Sequence, residues 1–261
     1  MGLFDRKYCD ICGEKIGLLG NRKLEDGNLC KNCAGKLSPW FSGRRHSAVA
    51  DIREQLAARE ENRVKLEAFH ITRQFGDYGR LLLDDDAGTF VVLRSGMRIT
   101  DNPDLLRLDQ VRDCELKISH AKQEEKRKTE DGKQVSYDPP RHKHTYSFSL
   151  QLTVEHPYID QLAFRYHKQD VILLTGMPVQ PTDLLVPGPR FTPQEPDIRG
   201  SEAYQQTLLL GQEMQQALLG RSEPVEPVVA DAEEGQIVCE YCGETVKPDA
   251  GCCPCCGAKI S

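Results

Sequence analysis

Cysteines form the strongest chemical pattern in this sequence, because ten of the eleven lie in two short segments near its ends. The first segment holds two Cys-x-x-Cys pairs, Cys9 with Cys12 and Cys30 with Cys33. A gap of two residues brings both sulfurs of a pair to one side of a tight turn, and two pairs supply the four thiolates of a tetrahedral zinc site. Four thiolates leave no position open for water, so we expect a structural ion here.

The second cysteine segment offers more sulfurs than one site needs. Its preferred ligands are the two Cys-x-x-Cys pairs that a glycine follows, which are Cys239, Cys242, Cys253 and Cys256. Cys252 and Cys255 keep the same spacing but lack the glycine, and they are the alternative second pair. The sequence thus predicts two structural Zn²⁺ ions at eight cysteines. Iron in a rubredoxin-like centre uses the same ligands, but no other redox motif accompanies them.

The composition indicates several domains of modest core size, and the absence of targeting segments indicates a reducing compartment. The formal net charge of −6 provides no global basic field for nucleic acid. No apolar run approaches the roughly 20 residues of a membrane span, and the first residues lack the apolar core of a signal peptide. We therefore expect a cytoplasmic protein in which clustered cysteines bind metal instead of forming disulfides.

The predicted fold class is α+β and multidomain, beginning with the small four-cysteine module at residues 1–37. A helical connector is expected at 38–70, where Val49, Ile52 and Leu56 recur at helical spacing. The charged residues that follow, 59–63, are expected to form a solvated face. After the middle of the chain, a flexible acidic linker is predicted at 221–236, followed by a C-terminal zinc ribbon at 237–261.

The middle segment, 72–220, changes to strand-like alternation followed by one amphipathic helix at 201–219. The predicted strands lie at 80–84, 89–93, 97–100, 111–118, 146–154, 162–166 and 171–175. Between two of them, residues 119–143 are rich in Lys, Arg and Glu and nearly free of apolar side chains, which predicts a long, exposed and mobile loop. The six prolines of 176–199 predict an extended connector.

Three resemblances add to this interpretation. The first 50 residues resemble the DUF4428 family, a short bacterial domain of unassigned function, through Cys9-Asp-Ile-Cys12-Gly13, Gly17-Leu18, Leu24-Glu-Asp-Gly27, Cys30-Lys-Asn-Cys33 and Leu37-Ser-Pro-Trp-Phe41. The tail looks like a bacterial zinc ribbon that closes on Cys-Pro-x-Cys-Gly-Ala. The middle segment is similar to a pleckstrin-homology (PH)-like β-barrel, which implies a helix that caps an open end of a bent sheet, and a role in binding.

Two histidines and the isolated cysteine are weaker candidates for a functional site. His142 and His144 lie on one side of an extended strand and could bind metal with Asp138, although a solvated strand edge is the simpler interpretation. Cys114 lies between two carboxylates, which raise a thiol pKa and oppose a reactive thiolate. We therefore expect Cys114 to be a small buried hydrophobe.

Cations and aromatic residues mix just after the first module. Arg44, Arg45 and His46 follow Trp40 and Phe41, a combination that can bind nucleic acid or an anionic surface. A tryptophan at this place more simply forms the hydrophobic plug of the zinc module.

These features favour a non-enzymatic zinc-binding adaptor or scaffold that contacts a protein partner or a membrane surface. A nucleic-acid-binding regulator that uses the zinc modules and the basic loop is one alternative, against which the acidic linker and the net charge argue. A thiol-redox protein built on the cysteines at 252–256 is another. No motif indicates a catalytic residue, an organic cofactor or a small-molecule substrate.

Overall fold

The computed structural model describes residues 7–179, residues 190–220 and two short strands near the C-terminus. The chain divides into two units, Met1–Ser222 and Glu223–Ser261. All of the architecture described next belongs to the first unit.

Two small hairpins and two helices make up the N-terminal module. Strands β1 (Lys7–Tyr8) and β2 (Lys15–Ile16) pair antiparallel, as do β3 (Arg22–Lys23) and β4 (Asn28–Leu29). Helix α1 spans Lys31–Ala34, a 3-10 turn spans Gly43–His46, and the long helix α2 spans Val49–Glu67. The module has a core of its own, in which Leu24, Leu29 and Ile52 are almost fully buried.

Helix α2 begins at Val49 because two carboxylates satisfy its free N-terminal N–H groups. Asp26 Oδ1 accepts a hydrogen bond from the Val49 N–H at 2.8 Å, and Asp51 accepts one from the Ala48 N–H at 2.8 Å. The predicted helical face is confirmed, since Ile52 is buried and Val49 and Leu56 pack against the module core. Of the connector predicted at 38–70, only the 3-10 turn at Gly43–His46 and helix α2 at Val49–Glu67 are helical.

Two antiparallel sheets follow the module. The first contains β5 (Arg73–Phe75), β6 (Arg80–Asp84), β7 (Thr89–Leu93) and β8 (Leu105–Arg107) in that order. The second is built on the long strands β9 (Val111–Lys128) and β10 (Gln134–His156), with β11 (Ile159–Arg165) and β12 (Val171–Thr175) along the other side of β10.

The described sheets do not close into a barrel, so the PH-like barrel is not confirmed. The strand predicted at 97–100 is wrong, because a 3-10 turn at Ile99–Asp101 occupies its place. Within the predicted connector at 176–199, β13 (Pro178–Val179) pairs with β14 (Arg190–Phe191). Residues 180–189 lie outside the described part of the chain.

The loop predicted at 119–143 is also wrong, since most of it forms the outer half of the β9–β10 hairpin. Strand pairing needs only backbone groups, so a stretch of charged side chains can form a strand when a partner strand lies beside it. The turn lies at the Asp131-Gly132 sequence, where Gly132 has a φ of 76°. The register shifts between Ser136 and Arg141, which accommodates two prolines that cannot donate a ladder hydrogen bond.

Both sheets and the last helix share one hydrophobic core. The strand predicted at 146–154 lies within β10, and its alternating apolar side chains are all buried: Tyr146, Phe148, Leu150, Leu152 and Val154. Helix α3 (Glu202–Leu219) packs on β9 and β10, begins at the N-cap Ser201 and ends at Gly220 in the left-handed region. Neither α2 nor α3 in this described part combines the length and the apolar character that a membrane span requires.

Helix α3 approaches the sheet most closely at Gly211, and this contact gives a first prediction. A Cβ atom at Gly211 would lie 2.8 Å from Leu116 Cδ1 and would clash with the Tyr166 hydroxyl, which donates a hydrogen bond to the Thr207 carbonyl at 2.9 Å. Gly211→Ala should therefore lower the free energy of unfolding by about 1–3 kcal/mol, despite alanine's higher helix propensity. Urea denaturation measures this change.

A glycine in open space provides the matched control for that substitution. A Cβ atom at Gly17 would meet nothing within 4 Å, so Gly17→Ala should leave the unfolding midpoint nearly unchanged. Equal stability of the Gly211→Ala variant and the parent would contradict the close packing of α3 on the sheet.

The second unit is described only at two strands. Strand β15 (Ile237–Val238) pairs antiparallel with β16 (Thr245–Val246). The linker predicted at 221–236 and the proposed ligands of the ribbon, Cys239, Cys242, Cys253 and Cys256, lie outside the described residues.

Candidate metal centre

The four cysteines of the first segment converge on one point. Cys9 directly follows β1 and Cys12 lies in the turn before β2, where Gly13 has a φ of 74° that favours glycine. Cys30 directly follows β4 and caps helix α1, and Cys33 lies within that helix. The hairpins and the short helix therefore bring the two Cys-x-x-Cys pairs to face each other.

The spacing of the sulfurs fits a tetrahedral metal ion. All four Sγ atoms lie within 4.8 Å of one another, and the Sγ atoms of Cys12 and Cys30 are 3.7 Å apart. Four sulfurs about 2.3 Å from a central zinc ion stand about 3.8 Å apart at the corners of a tetrahedron. The spacing of the four sulfurs is therefore close to what one tetrahedral metal ion requires.

Backbone N–H donors and the close approach of four thiols together determine which cysteines ionise. The N–H groups of Cys30 and Cys33 point at the sulfurs of Cys9 and Cys30, each at 3.3 Å. Burial raises the pKa of Cys9, but hydrogen bonds from backbone N–H groups outweigh it and lower this pKa to about 6. Burial raises the pKa of Cys33. One thiolate thus forms readily, whereas four crowded thiolates need a cation between them.

Hydrogen bonds around Asp10 hold the two cysteine pairs in register. The Asp10 carboxylate accepts from the Asn28 N–H at 2.7 Å, and the Asn28 carbonyl accepts from the Asp10 N–H at 2.9 Å. Arg53 on α2 donates to the Asp10 carbonyl at 2.9 Å. The first half of α2 is therefore part of the metal module.

Comparison with known proteins finds a match for the N-terminal module alone. Residues 7–55 match the family model described as "Domain of unknown function (DUF4428)". The N-terminal module is a DUF4428 match. No curated protein and no solved structure matches the chain. The match contains all four clustered cysteines and ends within α2, so the predicted resemblance of the N-terminal segment is confirmed, and those of the middle and the tail are not.

Beyond the DUF4428 match, the second half of α2 fastens the module to the first sheet. Arg59 forms a buried ion pair with Asp104, with Nη1 and Oδ1 2.7 Å apart and side chains only 10% and 7% exposed. The Ser38 hydroxyl donates to the other Asp104 oxygen at 2.9 Å, and Asn62 accepts from the Leu105 N–H at 2.9 Å. Leu66, near the end of α2, packs with the residues on the outer face of this sheet.

The solvated face predicted at 59–63 is therefore wrong for Arg59. Charge alone favoured exposure, but Arg59 continues the spacing of Ile52 and Leu56 on one side of the helix. That spacing was the available signal for its burial. What the sequence could not supply was the partner carboxylate, which lies 45 residues away.

Trp40 does not form the plug of the DUF4428 module. Its side chain packs against the core shared by the two sheets, with the Arg94 guanidinium 5.7 Å from its ring centre. Phe41 packs in the module core instead. The two neighbouring aromatic residues therefore join two different cores, and neither stands free as a stacking platform beside Arg44 and Arg45.

The histidines predicted at a strand edge occupy a different setting. His144 is 1% exposed, and its ring nitrogens lie 3.0 Å from His120 Nε2 and 3.2 Å from the Thr175 hydroxyl. Burial, followed by the nearby His120, lowers its pKa. A solvated edge is thus wrong for His144. Among the described residues only the cysteine cluster brings three or more such ligands together, so His142 and Asp138 do not complete a metal site.

Cys114 is buried, as expected. Its side chain is 1% exposed within the core shared by the sheets. Burial, with a smaller effect of the Asp113 carboxylate, raises its pKa to about 12. Cys114 therefore has a packing role and no reactive thiolate at neutral pH.

Proposed function

We propose that this protein is a non-enzymatic adaptor whose N-terminal module is organised by a structural zinc ion. The observation that carries the proposal is the cluster of four cysteine sulfurs within 4.8 Å of one another. An ion held by Cys9, Cys12, Cys30 and Cys33 has all four tetrahedral positions filled by protein. It can hold the chain together but cannot bind water or a substrate.

Zinc is the proposed metal because sulfur ligands in a tetrahedral set suit it and no redox group accompanies the cluster. Iron is the competing ion, and it would give the purified protein a red colour and visible absorbance. A second zinc ion is proposed in the C-terminal segment from its sequence spacing, at Cys239, Cys242, Cys253 and Cys256. Reduced, metal-binding thiols fit a cytoplasmic location.

The proposed adaptor role rests on how the N-terminal module is attached to the first sheet. The buried pair of Arg59 and Asp104 joins α2 to the first sheet, so the module is held on a folded body. We propose that this body is a PH-like binding domain, because two antiparallel sheets and a C-terminal helix share its core. A second cysteine module at the end of the chain would then give the protein two contact points for a protein partner.

Metal content tests this proposal directly. Native mass spectrometry of the anaerobically purified full chain should show two zinc ions, one for each proposed set of four cysteines. A strong chelator should remove them and unfold the modules, because metal binding supplies most of their folding free energy. A single ion would contradict the tail site, iron would contradict the choice of metal, and no ion would contradict the function itself.

A nucleic-acid-binding regulator is the second candidate, and a specific cluster of cations favours it. Arg22, Lys23, Arg44 and Arg45 lie together on the module. However, base stacking requires an exposed aromatic face, and Trp40 and Phe41 are both packed into cores. The cation cluster thus lacks the platform that single-stranded nucleic acid uses. The thiol-redox alternative involves residues 252–256, outside the described part of the chain.

A further inference from the structure

Two adjacent leucines project from the N-terminal module into solvent. The turn between β2 and β3 reads Gly17-Leu18-Leu19-Gly20 and is closed by a hydrogen bond from the Gly20 N–H to the Gly17 carbonyl at 3.0 Å. Leu18 is 91% exposed and Leu19 is 90% exposed. Within the described residues no other large hydrophobic side chain is as exposed, and the fold makes no use of either leucine.

A cleft lined by cations lies beside the same turn. Arg22, Lys23, Arg44 and Arg45 line a cleft of about 640 Å³, in which Glu25 is the single acidic residue. Arg22 donates to the Leu19 carbonyl at 3.3 Å, which places its guanidinium at the leucine turn. Arg44 donates to the Lys23 carbonyl at 3.1 Å, which joins the 3-10 turn to β3.

These four cations have no carboxylate partner in the described part of the chain. Every ion pair found there involves other residues. Burial, together with the like charges of Arg22 and Arg45, lowers the pKa of Arg44. The four residues therefore form a local cluster of positive charge without ion pairs among the described residues, on a protein whose net charge is −6.

We propose that the leucine turn and its four cations form a docking surface for an anionic lipid bilayer. Leu18 and Leu19 would enter the boundary between the headgroups and the acyl chains, where apolar side chains leave water. The cations would lie level with the phosphate groups, which attract basic residues near the membrane surface. The negative charge of the rest of the chain would orient this module toward the bilayer.

The shape of the surface favours a bilayer over a nucleic acid or a peptide. The leucines stand on a projecting turn, whereas a peptide-binding site needs a groove that covers its ligand. A nucleic acid would neutralise the cations but would leave both leucines in water. A bilayer uses both parts of the surface at once, because its headgroups and acyl chains lie within a few ångströms of each other.

This inference rests on the proposed adaptor function, since it names the partner of the N-terminal module. It can nevertheless fail separately. A protein that holds its metal and captures a protein partner, but does not bind vesicles, would keep the adaptor function and lose the membrane surface.

Vesicle flotation with the full-length protein tests the docking surface. Vesicles made of equal parts phosphatidylcholine and phosphatidylglycerol should carry the protein, and vesicles of phosphatidylcholine alone should carry little of it. The variant Leu18→Ser/Leu19→Ser should lower the affinity by about 100-fold, at about tenfold for each leucine that leaves the bilayer. Arg44→Gln/Arg45→Gln should lower it by about 25-fold, at about fivefold for each cation.

Two control variants match these changes elsewhere on the protein. Ile172→Ser/Leu174→Ser removes two exposed apolar side chains of β12, and Arg127→Gln/Lys128→Gln removes two charges at the end of β9. Both should keep nearly the full affinity for the anionic vesicles. Circular dichroism and metal content should match the parent for every variant, because none of the substituted side chains belongs to a hydrophobic core.

Several outcomes would overturn the docking surface. The proposal would be wrong if the protein bound both kinds of vesicle equally, or if the leucine variant kept its full affinity. It would also be wrong if the β9 control lost as much affinity as the Arg44→Gln/Arg45→Gln variant. Competition by soluble glycerol phosphate at concentrations that remove the protein from vesicles would show a free phosphate site in place of a membrane surface. Tight binding to RNA that the leucine variant retains would support the regulator instead.

Discussion

Substitution of Cys33 by serine should leave the chain one metal ion short and unfold its N-terminal module. Cys33 is buried within α1 and supplies one of four clustered sulfurs. A serine hydroxyl is a poor zinc ligand at neutral pH, so three thiolates would remain around an open position. Structural zinc contributes about 10–16 kcal/mol of apparent binding free energy in small zinc modules, and the small core around Leu24, Leu29 and Ile52 cannot replace it.

Native mass spectrometry and circular dichroism measure the two parts of this result, and Cys114→Ala is the matched control. Cys114 is equally buried but lies in the core shared by the sheets. Its replacement should keep the full metal content and cost about 1 kcal/mol of stability through the small cavity that it leaves. Retention of all metal in Cys33→Ser would contradict the assigned ligand set.

Tryptophan fluorescence would show how far the unfolding spreads. Trp40 is the chain's one tryptophan and packs against the sheet core, not the module core. We therefore expect Cys33→Ser to change its emission only partly, and denaturant to change it fully. A complete change in Cys33→Ser would mean that the sheets depend on the module for their own stability.

Patterns within a few residues predicted the parts of the fold that depend on local chemistry. The Cys-x-x-Cys pairs identified the cluster, because a tight turn fixes the distance between the two sulfurs of a pair. The alternation of Tyr146 to Val154 identified the buried face of β10, and Ser201 with Gly220 marks the ends of α3. In each case the sequence carries the physical cause within the element itself.

Apart from the strand predicted at 97–100, where a local 3-10 turn forms instead, the wrong predictions concern features that depend on residues far away in sequence. Residues 119–128 pair with β10 despite their charge, because the partner strand supplies the hydrogen bonds. Arg59 is buried because Asp104 lies opposite it. Trp40 joins the sheet core because helix α2 brings the module against the first sheet. No window of the sequence shows which distant carboxylate, strand or core a residue will meet.

The buried pair of Arg59 and Asp104 is the second place where a single change should have a large effect. In Arg59→Met, the Asp104 carboxylate keeps only the Ser38 hydroxyl as a side-chain partner. Burial already raises the pKa of Asp104, and loss of the arginine removes the main opposing influence. Breaking a buried ion pair in this way should cost about 3–5 kcal/mol.

A double-mutant cycle separates the ion pair from the packing around it. Arg59→Met/Asp104→Leu removes both charges and fills the site with apolar atoms, so it should recover most of the stability that Arg59→Met loses. Urea denaturation of the parent, both single variants and the double variant would give the coupling free energy. The exposed pair of Glu60 and Arg63, 3.1 Å apart on the same helix, is the control, and its removal should change stability by less than about 1 kcal/mol.

The same cycle decides whether the DUF4428 module is fastened to the body by this contact. If it is, Arg59→Met should make protease cleavage between the module and the first sheet faster, while the metal content stays unchanged, since no cluster ligand is touched. The double variant should restore resistance because apolar packing replaces the ion pair. Loss of metal in Arg59→Met would show instead that the ion pair supports the cysteine cluster itself. An unchanged unfolding midpoint would show that the apolar contacts of Leu66 and Phe69 alone hold this segment to the sheet.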